Sequence, residues 1–133
     1  MKTFSLMTTG LLTVALAGCA PLQNVSASDV RKPEYAYRAE TLNMTMTQAR
    51  QAVFEYGRNC RSLGHIDYDP SGNGRMYIMY EGIGMTKASI YTVIDFQGTP
   101  EGQTEVKSYV QMPTWKSWID DVLLAIKSPN ICV

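Results

Sequence analysis

The chain has one histidine, no Cys-x-x-Cys pair, no run of lysine or arginine, and no apolar stretch long enough to cross a membrane. Each shortage excludes a class of protein. A membrane-spanning helix needs roughly 20 apolar residues, and the stretch over residues 10–17 falls well short. The single histidine, His65, cannot complete a plausible zinc ligand set. No serine or cysteine nucleophile motif accompanies it, so it reads as a surface histidine at a helix end and not as a general base. Twelve basic and twelve acidic residues balance, and without a basic stripe they give no reason to expect a nucleic-acid partner. Gly82-Ile83-Gly84-Met85-Thr86-Lys87 lacks the spacing of a phosphate-binding loop. Asp67, Asp69 and Asn73 flank a turn, but no bidentate glutamate follows at calcium-loop spacing, so they read as turn caps. Asp120 and Asp121 are adjacent and on a helix diverge by about 100°, as solvated charges do and an acid/base pair does not. The expectation is a non-catalytic protein without metal or cofactor.

What is present begins at the N-terminus. Lys2 precedes the apolar stretch, which ends in Leu16-Ala17-Gly18-Cys19. This motif resembles the lipobox read by lipoprotein signal peptidase, with small residues at the cleavage site and a cysteine directly after it. The resemblance implies a signal peptide over residues 1–18 that must be set aside before fold reasoning. It also implies a diacylglycerol thioether on Cys19 and an amino terminus acylated with a chain such as palmitate. Two or more chains give stable attachment, where a single chain is marginal. In enterobacterial lipoproteins an aspartate after the cysteine favours retention in the inner membrane. Ala20 stands there instead, so the expected address is the periplasmic face of the outer membrane. Residues 19–34, with Ser26-Ala27-Ser28 and Lys32-Pro33, read as a flexible tether, and residues 35–133 as one globular domain.

With Cys19 assigned to lipid, Cys60 and Cys132 remain. An even remainder in an oxidising compartment points to a disulfide. A domain this small can use one to supplement a limited hydrophobic core.

Hydrophobic periodicity supplies the fold. Residues 35–40 alternate as a short strand. Thr45-Met46-Thr47-Gln48 has capping-box spacing. After it, Ala49, Val53, Tyr56, Cys60 and Leu63 make one apolar face of a helix that is expected to end at Gly64. Short strands follow at 66–69 and 76–81, separated by the turn Pro70-Ser71-Gly72-Asn73-Gly74. The strand at 88–96 puts Ala88, Ile90, Thr92, Ile94 and Phe96 on one face and Ser89, Tyr91, Val93 and Asp95 on the other. A turn over 97–102 leads to the strand at 104–112, where Val106 and Val110 lie opposite Glu105, Lys107 and Tyr109. A last helix begins near Thr114, with Trp115, Trp118, Ile119, Val122 and Ile126 at helical spacing, and Pro129 stops it. The expected architecture is α+β in two layers: an antiparallel sheet of three to five strands packed against two helices, with one disulfide.

This element order, together with the lipobox and the tryptophan-bearing last helix, resembles the helix-grip domains of BamC lipoproteins of the outer-membrane β-barrel assembly machinery. The resemblance implies a fold; topology alone carries no function. Tyr68, Tyr77, Met79, Tyr91 and Tyr109 form the candidate binding surface, and if the helices cover one sheet face, several of these are expected on the other. Tyrosine and methionine are enriched at protein interfaces, yet tyrosines also suit pleated sheets as plain cover for the core, and both readings stay open. The function expected is a membrane-anchored envelope lipoprotein that acts as a protein-binding or accessory module. The alternative is a binder of a small ligand, or an inhibitor of a cell-wall hydrolase that uses the loops at 70–74 or 82–86.

Overall fold

A computed structural model describes residues 26–68, 75–83 and 88–133. The expected signal peptide, Cys19 and the first part of the expected tether lie outside the described residues, as do Asp69, the turn at 70–74 and residues 84–87.

The described chain opens where flexible tether was expected. Ser26 caps a single helical turn, α1 (Ala27–Val30), through a capping box: Asp29 N–H donates to Ser26 Oγ at 3.3 Å, and Ser26 N–H donates to Asp29 Oδ2 at 3.0 Å. A 3-10 turn, Pro33–Tyr35, follows and leads into strand β1 (Ala36–Leu42). Val30 is fully buried against the sheet, so α1 packs on the folded domain, while Lys32, Pro33 and Glu34 beyond it are exposed.

Thr45 then opens α2 (Met46–Asn59) as its sequence spacing implies. Gln48 N–H donates to Thr45 Oγ1 at 3.2 Å and Thr45 N–H donates to Gln48 Oε1 at 2.8 Å, which satisfies two of the donors a helix start leaves unpaired. The helix ends at Asn59, not at Gly64, with Cys60 as its cap. Leu63 is buried all the same, from an irregular segment outside the helix. Strands β2 (His65–Tyr68), β3 (Arg75–Ile83), β4 (Ala88–Gly98) and β5 (Thr104–Val110) follow, and after a 3-10 turn at Pro113–Trp115 the chain forms α3 (Lys116–Lys127).

The five strands make one antiparallel sheet in the order β1-β5-β4-β3-β2. The three middle strands run consecutively, while β1 and β2 sit at opposite edges, so α2 carries the chain across one face from edge to edge. The β4–β5 connection turns at Gly102, whose φ of +80° suits glycine, with Thr99 N–H donating to Gln103 O and Gly102 N–H to Thr99 O.

The main core lies between the sheet and the pair α2 and α3. Ala49, Val53 and Tyr56 from α2 and Ile119, Val122, Leu123 and Ile126 from α3 bury against Met76, Ile78, Ile94, Phe96, Val106 and Val110. Fully burying one such large side chain stabilises by roughly 1.5–3 kcal/mol. A smaller cluster, Val30 with Met79 and Val93, occupies the other face. The disulfide Cys60–Cys132 joins the end of α2 to the C-terminal segment across 72 positions. Beside it the Tyr56 hydroxyl donates to Val133 O at 3.0 Å and accepts from Val133 N–H at 3.1 Å. No helix among the described residues is long and apolar enough to cross a membrane.

Candidate binding surfaces

The five candidate residues are divided between the two sides of the sheet. Tyr77, Met79 and Tyr109 do lie together on the face opposite α2 and α3, as alternation along β3 and β5 requires. That face is covered by α1, however. Val30 presses on Met79 and Val93, and the Arg31 guanidinium lies 5.1 Å from the Tyr77 ring centre. Arg31 also grips the Asp95 carboxylate with two nitrogens, Nε at 2.9 Å and Nη2 at 2.7 Å. This hydrogen bonding holds the guanidinium above its ordinary pKa despite partial burial. Tyr68 pairs with Met76 across β2 and β3, so it sits on the helix side of the sheet, at its edge. There the Arg50 guanidinium of α2 lies 5.0 Å from its ring.

Tyr91 is diverted by a bulge. Tyr80 pairs with Thr92 and Glu81 with Ile90, which leaves Tyr91 as the extra residue of β4. The alternation reverses there. Ile90 joins the α1 cluster, while Tyr91 stacks on Trp115 with ring centres 6.2 Å apart and planes within 6°. Trp115 in turn packs against the main core.

That stack stands next to a cleft whose residues the sequence did not group. The segment at 61–64 and the start of α3 enclose about 430 Å³, lined by Arg61, Leu63, Gly64, Trp115, Trp118 and Asp121. Gly64 shapes it. Its φ of +112° suits glycine, and a Cβ there would come within 2.6 Å of Met79 O and 3.3 Å of the Trp118 ring. The rim carries Arg61 and Asp121 with Nη2 and Oδ2 3.7 Å apart, both about half exposed. Periodicity assigned Trp115 and Trp118 to the helix core, and both are only half buried. A usable signal was the pair of tryptophans three residues apart at a helix start, more aromatic surface than a short helix can bury.

The two aspartates of α3 are not merely solvated, as expected from their adjacency. Asp121 faces Arg61, and both oxygens of Asp120 are engaged, accepting from the Tyr37 hydroxyl and from Arg38 Nη1 at 3.0 Å each. Lys127 Nζ donates to both oxygens of Glu40 at 2.9 and 3.0 Å, so β1 is laced to α3 along its length. The Asp120 bond raises the pKa of the Tyr37 phenol above its ordinary value, since it favours the protonated form. Among the described residues no three histidine, cysteine, aspartate or glutamate side chains gather as a metal site. Comparison with protein-family models, with curated proteins and with solved structures finds no match to this chain.

Proposed function

We propose that the chain is a lipid-anchored envelope lipoprotein, held through Cys19 at the periplasmic face of the outer membrane, that serves as a non-catalytic protein-binding or accessory module for an envelope protein or assembly. The observation that carries this reading is the Cys60–Cys132 disulfide. It pairs the two cysteines that a lipidated Cys19 leaves over, and disulfides belong to oxidising compartments. The packing of α1 adds a geometric support. Ser26, the first of the described residues, is bonded into the fold and stands seven positions after Cys19 (26 − 19), a span of at most roughly 25 Å when fully extended. A domain on so short a lead works close to the bilayer, as an accessory to what is embedded there.

The test is membrane fractionation with palmitate labelling of the full chain and its Cys19→Ala variant, followed by crosslinking in cells. The expected result is label and outer-membrane residence in the parent alone, with an envelope assembly captured only when the anchor is intact. Residence and label that survive Cys19→Ala would defeat the anchor, and capture of only a secreted hydrolase would favour the inhibitor class. A second reading, a binder of a small ligand, is favoured by one observation, the cleft between residues 61–64 and α3.

A further inference from the structure

We propose that the protein pairs with a second copy of itself through the outer edge of β2, strand antiparallel to strand, with Ile66 opposite Ile66 on a two-fold axis normal to the sheet. The edge, its side chains and the place where the chain leaves the fold all point to that partner.

An edge strand presents unpaired backbone N–H and C=O groups along one side, and folded proteins blunt it with a bulge, a proline or a lysine. Among the described residues the two edges are β1 and β2. β1 carries a bulge at Tyr37 and sends Tyr37, Arg38 and Glu40 to α3. β2 pairs with β3 in unbroken register and has neither proline nor lysine in its four residues, His65–Tyr68. Ile66 fixes which way it faces. It packs against the main core, and a slip by one residue would turn it outward.

The side chains of this edge are complementary to themselves. His65 lies opposite Met79 and Asp67 opposite Tyr77, so both stand on the α1 face of the sheet, with Ile66 between them on the helix face. Directly opposed residues of an antiparallel pair share a face, and an axis normal to the sheet keeps the two faces distinct. With Ile66 at that axis, His65 meets Asp67 of the second copy, and Asp67 meets its His65. An imidazole has an N–H to donate in either protonation state, and a carboxylate can accept several bonds; Asp67 Oδ1 takes Tyr68 N–H at 3.0 Å. The neighbouring registers that keep the faces oppose His65 to His65 or Asp67 to Asp67, so like charge disfavours the second and neither gains the pair.

Exposed aromatic area lies beside the edge. Arg50 of α2 reaches the Tyr68 ring, and Phe54 stands one helical turn further on. Tyr68 is 44% and Phe54 61% exposed, and they add apolar surface to what four strand residues bury. Arg50 and Arg58 lie 5.0 and 6.0 Å from the Tyr68 and Phe54 ring centres of their own copy. Both remain in reach of water, which screens the like charges that pairing brings closer.

The chain's exit favours the same symmetry. α1 covers the sheet face away from α2 and α3, and the axis places α1 of both copies on one side. Two leads from Cys19, each at most roughly 25 Å long, can then reach one bilayer, where shared anchorage raises the effective concentration of the copies. This support rests on the anchor reading; the edge and its charges do not.

The full chain in detergent is followed by sedimentation velocity over a concentration series. The expected result is a reversible equilibrium between monomer and dimer. His65→Asp sets carboxylate against carboxylate and should weaken pairing at least about tenfold. Asp67→Asn keeps an acceptor for Tyr68 N–H, removes the charge and should weaken it less. His65→Asp combined with Asp67→His exchanges the two partners and should restore the parent's affinity, a rescue that a folding defect cannot produce; far-ultraviolet circular dichroism checks each variant. A parent that stays monomeric throughout, or that builds open higher assemblies, would overturn the proposal. So would a dimer indifferent to His65→Asp, or a double variant no tighter than His65→Asp alone. A parent that dimerises without residing in the membrane would count against the anchor only, and a membrane-resident monomer against the pairing only.

Discussion

Tyr37 and Ser108 show how one extra residue redirects a strand. Ala36 pairs with Tyr109 and Arg38 with Ser108, so Tyr37 has no partner position of its own in β5. The buried Ser108 hydroxyl bridges the irregularity, accepting from Arg38 N–H at 3.1 Å and donating to Arg38 O at 3.0 Å. Tyr37 and Arg38 can then both reach Asp120 on α3, which strict alternation would forbid. Because the folded-state pKa of Tyr37 lies above the ordinary 10.0, the stabilisation from its bond to Asp120 is complete below that pH and is lost as pH rises through the raised value. Tyr37→Phe should therefore unfold at lower urea than the parent at pH 7, and the gap should narrow above pH 10. A gap constant from pH 7 to 11 would show that the hydroxyl contributes nothing through this bond. The alternation of residues 35–40 announced a strand here but not the bulge, because nothing in a local pattern marks which residue will go unpaired.

At the scale of elements, α1 is the one that sequence reading misplaced. A four-residue stretch with one serine before it, one within it and a Lys-Pro pair soon after has the composition of linker, and isolated short helices are marginal in water. The turn persists because tertiary contacts hold it. Val30 is buried against Met79 and Val93, and Arg31 clamps Asp95 while lying over Tyr77. Val30→Ala removes two buried methyl groups and should cost about 2 kcal/mol in urea unfolding, with faster amide exchange over residues 30–35. Unchanged stability would mean that the segment only passes over the sheet. By contrast α2 was legible from its capping box and its four-three periodicity, both local features. Its C-terminal boundary was not, since Leu63 keeps the apolar rhythm while coming from outside the helix.

For the molecule as a whole, the disulfide is a covalent long-range constraint. It closes a loop that contains β2, β3, β4, β5 and α3 and ties the C-terminus to α2 beside the Tyr56–Val133 hydrogen bonds. In the chain-entropy account, a crosslink across 72 positions stabilises by about 4 kcal/mol through the unfolded state. The double variant Cys60→Ser with Cys132→Ser should lose stability of that order, and reduction of the parent should lower its unfolding midpoint to match. A midpoint indifferent to reductant would show that the crosslink does not limit unfolding. The edge strands complete the picture. With β1 laced to α3 through Tyr37, Arg38 and Glu40, and α2 crossing from one edge to the other, the two halves of the sheet share one core.

The sequence alone determined what depends on local spacing and on counting: the capped helix α2, the alternating strand β5, the apolar stripe of α3, and the pairing of Cys60 with Cys132. Helical and strand periods are set by backbone geometry over a few residues, so side-chain pattern suffices to read them. Tertiary structure decided the rest. It folded α1 onto the sheet, divided the tyrosines between two faces and a stack, and brought Arg61, Gly64, Trp115, Trp118 and Asp121 around one cleft. A single-residue bulge reverses every face assignment beyond it, and a close approach such as Gly64 to Met79 O joins segments by packing. Neither leaves a periodic trace in the chain.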